Sequence, residues 1–191
     1  MPKINDCLVD ARMPTKFGTF RLYAFPGDDE TKEDLALVMG KVEGRMLVRV
    51  HSECFTGDVL HSMRCDCGEQ LDLAMERIAK EEKGIIVYSR QEGRGIGLVN
   101  KLKAYNLQDE GLDTVEANIA LGFNAELRNY KNAAKILKNL GVKKINLMTN
   151  NPSKVEDLTE EGFDVTQTKH LPDPNEENIE YLKTKAKKMR H

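Results

Sequence analysis

The sequence predicts an α/β fold: a mixed sheet flanked by helices in three layers, with a strand-rich, antiparallel N-terminal part. Three observations carry this. Short apolar runs, one of them alternating with polar residues, crowd the first third of the chain. From Gly68 onward helical and strand patterns alternate, as they do where helices cover a sheet. At 191 residues and 40% hydrophobic content, the chain can bury one proper core.

Each element has a local reason. Residues 1–10 read as a loose lead-in, with Cys7 a bystander, and residues 11–15 as a turn fixed by Pro14. Phe20 and Leu22 alternate with polar neighbours, which predicts a strand over 17–23. Pro26-Gly27-Asp28-Asp29-Glu30 is a turn. The apolar runs 35–39 and 46–50, split by Gly40 and Gly44, read as two paired strands. Leu71, Met75, Ile78 and Ala79 share one face of a helix over 68–82. Residues 84–88 form a buried strand, and a helix follows over 98–107. Residues 109–123 have weak periodicity and read as a loop with a short helix covering the site. A helix over 130–140 closes at Gly141. Residues 144–148 are a strand. Asn151 then caps a helix with Pro152 in its first position, Gly162 ends it, and 163–166 is a strand. Residues 1–171 are expected to form a single domain. Residues 172–191 are expected to be a charged, partly helical tail.

Charged residues make up 31% of the chain and the net charge is −2, so no basic excess suggests a nucleic-acid partner. No apolar run approaches a membrane span, and the N-terminus lacks a basic start followed by an apolar stretch. Four cysteines without an export signal point to reduced thiols and the cytoplasm.

The chemistry centres on Cys54, Cys65 and Cys67. The C-x-C pair can aim two thiolates at one ion, and Cys54 offers a third from a preceding loop. Three soft ligands suit zinc and leave a tetrahedral position for water, as in catalytic sites. A closed structural site is the competing reading, with His51 or His61 as fourth ligand. His51-Ser52-Glu53 matches the H-x-E of zinc deaminases, but the P-C-x-x-C that family requires downstream is missing. Arg90-Gln91-Glu92-Gly93-Arg94-Gly95-Ile96-Gly97 lies between a strand and a helix. Its glycines allow close backbone approach to an anion, and its arginines add bidentate donors. It matches neither the Walker pattern nor G-x-G-x-x-G, and an ordinary strand-to-helix turn explains the glycines equally well. Thr149 and Lys154 flank a second such turn. Arg49 and Arg64 stand beside the cysteines, where surface salt bridging is the competing reading. Zinc with basic groups suggests hydrolysis of a phosphorylated substrate. The residue chemistry alone names neither base nor sugar.

Several long motifs occur in one order: Val48-Arg49-Val50-His51-Ser52-Glu53-Cys54-Phe55-Thr56-Gly57-Asp58, Arg64-Cys65-Asp66-Cys67-Gly68, Arg90 through Leu98, Asp113-Thr114-Val115-Glu116-Ala117-Asn118, and Thr149-Asn150-Asn151-Pro152-x-Lys154. Through them the chain resembles the GTP cyclohydrolase II family of riboflavin biosynthesis, from about Ala11 to the tail. The resemblance implies that GTP is the substrate and that its imidazole ring is opened with release of formate. The triphosphate is cleaved to pyrophosphate, leaving 2,5-diamino-6-ribosylamino-4(3H)-pyrimidinone 5′-phosphate. It implies one zinc ion per subunit on Cys54, Cys65 and Cys67, magnesium with the triphosphate, and a homodimer. It places nucleotide binding on Arg49, Val50, His51, Ser52, Glu53, Gln70, Glu92, Gly93, Arg94, Thr114, Thr149 and Lys154. It associates Tyr105 with completing the ring-opening steps. Glu126 and Arg128 match a proton acceptor and a nucleophile at the triphosphate, although the family usually carries Asp where Glu126 stands. A guanidinium stays protonated and has no free lone pair, so stabilising phosphate charge is an equal role for Arg128. Two other outcomes fit the residues: a zinc-stabilised nucleotide-binding module without turnover, and a cyclohydrolase that halts at a formamide.

Overall fold

The apolar runs become seven strands of one sheet in a computed structural model that describes residues 4–29, 31–123, 129–179 and 182. The strands are β1 (Val9–Thr15), β2 (Gly18–Pro26), β3 (Glu33–Met39), β4 (Arg45–Ser52), β5 (Gly84–Ser89), β6 (Lys144–Met148) and β7 (Asp164–Thr168). Their order in the sheet is β1-β2-β3-β5-β4-β6-β7. β1, β2, β3 and β5 pair antiparallel in sequence along the sheet. β4, β6 and β7 pair parallel. The sheet is mixed, with its N-terminal part antiparallel, as the sequence predicts.

Two strand expectations differ. Residues 11–15 are not a turn but part of β1, with Pro14 opposite Thr19. β1 is an edge strand, where a residue without an N–H removes no ladder bond on the open side. β3 and β4 do not pair with each other, because β5 lies between them. β5 carries Ile85, Ile86 and Val87, all fully buried, so it needs cover on both faces and takes a central place.

The chain divides into two compact units. The first is Met1–His51, Leu71–Arg90 and Tyr130–Leu171. Alternate residues of its strands feed two cores. Met46, Val48, Ile85, Val87, Ile145 and Leu147 pack with Ala133, Ile136 and Leu137 of α5 (Lys131–Asn139) and Leu158 of α6 (Pro152–Glu160). Leu47, Ile86 and Met148 pack with Ala74, Met75 and Ile78 of α2 (Cys67–Glu81). The period-two alternation of a strand therefore makes the sheet the middle of three layers. At Gly84 a Cβ would lie 2.6 Å from Ile78 Cγ1 and 2.9 Å from the Leu47 carbonyl oxygen, so only glycine lets helix and strand approach here. Asn151 caps α6 as the sequence predicts, its side chain accepting from Ser153 N at 2.9 Å.

The second unit is Ser52–Gln70, Gln91–Asn129 and Pro172–His191. It contains α1 (Phe55–Asp58), the first turn of α2, a 3-10 turn over Glu92–Gly95, α3 (Gly97–Asp109) and α4 (Thr114–Ala120). A capping box starts α4: Asp113 accepts from Val115 N and Glu116 N, while Glu116 accepts from Asp113 N. The helix expected after residue 177 falls mostly outside the described residues.

Candidate active site

Cys54 follows the end of β4 and caps α1, its Sγ accepting from Gly57 N at 3.4 Å. Cys65 sits in the turn before α2, and Cys67 is the first residue of that helix. The three Sγ atoms lie within 4.8 Å of one another, with Cys54 and Cys65 at 3.7 Å. A Cβ on Gly57 would stand 3.0 Å from Cys65 Sγ and 3.0 Å from Cys67 Cβ, so glycine is what allows the cluster to close. All three cysteines are free thiols, and the group contains no histidine among the described residues.

The donor set itself asks for a cation. Hydrogen bonds from Cys65 and Cys67, and then the Lys101 charge, hold the Cys54 thiol far below its usual range against the cost of burial. Hydrogen bonding with Cys54, then burial and its negative charge, push Cys65 up to about 11. The same causes raise Cys67 well above its ordinary value. One thiolate is thus tolerated and the next two are opposed. A divalent ion removes that opposition by taking all three as ligands. Cys54, Cys65 and Cys67 fit zinc in both chemistry and spacing.

Around the thiols the polar groups are tightly linked. Thr56 Oγ1 lies 3.6 Å from Cys54 Sγ and 3.5 Å from the Tyr105 hydroxyl. Burial pushes the Tyr105 phenol up to about 12, so it stays protonated. The Arg64 guanidinium covers the Tyr105 ring at 4.5 Å, donates to the Tyr105 carbonyl at 3.3 Å and pairs with Asp109 at 2.8 Å. In the 3-10 turn, Gly93 and Arg94 are both left-handed, with φ of 61° and 62°. That conformation is uncommon for a residue with a side chain and is a mark of functional turns. Glu92 is buried, and its carboxylate accepts from Phe55 N at 2.6 Å, Gly93 N at 2.7 Å and Lys101 Nζ at 3.0 Å.

The three cysteines, Glu92, Gly93, Arg94, Lys101 and Tyr105 line one pocket, together with Ser52 and Thr114. The pocket is open to solvent. Ser52 Oγ and Arg94 Nη1 are buried and have no hydrogen-bond partner among the described residues. Buried polar atoms left in this state are natural contacts for a ligand.

The remaining predicted residues are placed as follows. Gln70 donates to Asp66 Oδ2 at 2.6 Å in the second unit. In the first unit, Arg49 donates to the Met148 carbonyl at 2.9 Å, and His51 stacks on Tyr88 at 5.5 Å. Lys154 is buried, donates to the Val50 carbonyl at 2.7 Å and lies over the Tyr130 ring. Thr149 Oγ1 accepts from Asn151 N at 3.1 Å. Glu126 and Arg128 lie outside the described residues.

Comparison with known proteins identifies the family. The sequence profile of the family described as GTP cyclohydrolase II matches residues 6–170. The chain is 51% identical to the GTP cyclohydrolase-2 of Actinobacillus succinogenes, over 96% of this chain and 86% of that one. It is 50% identical to that of Haemophilus influenzae strain PittGG over 100% and 90% of the two chains. It is 49% identical to that of Pasteurella multocida over 96% and 86%.

The chain belongs to the GTP cyclohydrolase II family. It is an enzyme, a hydrolase of GTP in riboflavin biosynthesis. No described helix is long and apolar enough to cross a membrane.

The family motifs do not draw attention to Lys101, Ala104 and Gln108, which share the pocket-lining face of α3 with Tyr105. The signal that finds them is spacing. Positions 101, 104, 105 and 108 form one helical stripe, so placing Tyr105 in a GTP cyclohydrolase II pocket brings Lys101 with it. α3 has almost no amphipathic pattern to reveal this, because its Val99 and Leu102 are exposed while Lys101 faces the pocket.

Proposed function

We propose that this chain carries out the complete reaction: zinc-dependent opening of the GTP imidazole ring with release of formate, and cleavage of the triphosphate to pyrophosphate. The product is 2,5-diamino-6-ribosylamino-4(3H)-pyrimidinone 5′-phosphate. The observation that carries this is the three-thiol cluster at the wall of the pocket that also holds Arg94 and Tyr105.

Cys54, Cys65 and Cys67 would hold the zinc, which supplies a Lewis acid able to acidify water for attack on the ring carbon. The chain's own residues do the rest. Tyr105, protonated at neutral pH, presents a hydroxyl beside the thiols, where it can donate to a nitrogen released as the ring opens. Ser52 Oγ and Arg94 Nη1 offer unused hydrogen-bonding capacity to the nucleotide. Nucleotide binding is assigned, on the family pattern, to Arg49, Val50, His51, Ser52, Glu53, Gln70, Glu92, Gly93, Arg94, Thr114, Thr149 and Lys154. On the same pattern Glu126 accepts a proton at the triphosphate and magnesium accompanies that group; for Arg128, where the pattern has a nucleophile, we assign charge stabilisation, because a guanidinium has no free lone pair. The enzyme is taken to work as a homodimer in the cytoplasm.

Product analysis of zinc-loaded protein with GTP and magnesium tests the reading. Formate, pyrophosphate and the pyrimidine in equal amounts are expected. Pyrophosphate without formate would mean a reaction halted before ring hydrolysis is complete. No product at all would leave a nucleotide-binding module. For the phosphate end, Arg128→Lys is expected to keep part of the pyrophosphate release, and a nucleotidyl adduct trapped on Arg128 would overturn the charge-stabilising role.

A further inference from the structure

Lys101 is a half-buried cation that the proposed reaction does not use. Its side chain is 12% exposed. Its Nζ stands 2.9 Å from Cys54 Sγ and 3.0 Å from Glu92 Oε1, and 5.8 Å from the Tyr105 ring centre. The ammonium thus sits between the Cys54 sulfur and the buried Glu92 carboxylate.

We infer that Lys101 is the positioning residue of the metal centre, holding Cys54 in place as a ligand and countering the negative charge that three thiolates bring to a divalent ion. This rests on the zinc reading of the three cysteines. The geometry carries the inference in two ways. First, three thiolates and a divalent ion leave one net negative charge in a largely buried place, which is costly without a counter-ion. Among the described residues, the lysine donates directly to a ligand sulfur. An N–H donor on a ligating thiolate also withdraws charge from it and strengthens the ion as a Lewis acid. Second, Lys101 is held on its other side by Glu92, whose carboxylate also accepts from Phe55 N beside Cys54 and from Gly93 N in the left-handed turn. One ammonium and one carboxylate thereby fix the metal ligand and the turn bearing Arg94 to each other.

Two variants and two metals test this. K101Q removes the charge at similar size, and K101R keeps it. Zinc affinity is read by competition with a chromophoric chelator, and the thiolate-to-metal charge-transfer band is read with cobalt(II). K101Q is expected to bind zinc about 10–100-fold more weakly, the range for partners of metal ligands, and to shift the cobalt band. K101R is expected to retain most of the affinity. Wild-type affinity and spectrum in K101Q would overturn the inference. So would a K101R as weak as K101Q, because side-chain volume rather than charge would then matter. If K101Q does not fold, the wild type decides: the Lys101 ammonium nitrogen resonance must shift when zinc is added, and no shift overturns the proposal. Wild-type protein that takes up no zinc would instead refute the zinc reading itself.

Discussion

The two units of the molecule use the same residue types for opposite ends. In the first, buried Asp34 accepts from Arg90 N and from Asn132, both at 2.7 Å, and so ties the start of β3 to the end of β5 and to α5. In the second, buried polar groups gather around a pocket. Three thiols sit within 4.8 Å, a lysine touches one of them, and an arginine is held left-handed. The second unit also leaves Val59, Leu60, Met63, Val99 and Ile119 more than half exposed, whereas among the large apolar side chains of the described strands only Val9 is that exposed. The lesson is that the packed core and the three-thiol cluster are separable here, although the proposed nucleotide-binding residues Arg49, His51, Thr149 and Lys154 lie in the first unit. Side chains that would be removed to stabilise the second unit are those that carry its function.

That separation can be broken by experiment. The largest effect is expected from Cys65→Ser. It removes one of three thiolates, so metal content should fall below stoichiometry and GTP turnover should drop by at least about 100-fold, more than loss of a partner of a ligand costs. The thermal transition of the sheet should persist, and its loss on this substitution would break the comparison. Leu147→Ala is the reverse case. Leu147 is fully buried in the larger core, so unfolding free energy should fall by about 2–5 kcal/mol in denaturant titrations. Zinc affinity and the KM for GTP should stay unchanged. Gly57→Ala sharpens the distinction. The added methyl meets Cys65 Sγ and Cys67 Cβ at 3.0 Å and Gly68 N at 3.1 Å. Zinc affinity should fall by roughly tenfold, within the range for disturbed ligand surroundings, while the far-ultraviolet circular dichroism is kept.

The smallest effect is a pH dependence in the first unit. Burial raises the Asp34 carboxyl above its ordinary 3.8, against the hydrogen bonds from Arg90 N and Asn132. A raised folded value means the unfolded chain ionises first, so Asp34 contributes most below pH 3.8 and that contribution is lost as pH rises through the folded value. Asparagine does not titrate. Relative to Asp34→Asn, the wild type should therefore lose stability as pH rises above 3.8, and denaturation curves across that interval check the sign.

Much of this was legible in the linear chain. The C-x-C pair and the preceding cysteine announce a soft-metal site, because ligand type and short spacing are local properties. Asn151 and Pro152 announce the start of α6 by capping chemistry that involves only the residues themselves. The alternating layers are legible too, since burial imposes period two on strands and 3.6 on helices. Other features depend on which segments meet. The place of β5 between β3 and β4 follows from its need for cover on both faces, which the short link through Gly40 and Gly44 conceals. Pro14 reads as a turn until an open sheet edge makes it harmless in β1. The contact of Lys101 with Cys54 spans 47 positions, and nothing in either local sequence demands it. The sequence by itself thus determined the three-cysteine set, the caps and the layer pattern, because these rest on chemistry within a few residues. Only the tertiary structure decided strand order, the left-handed turn under Arg94 and the ammonium beside the thiols, because these rest on distances between segments that sequence spacing does not encode.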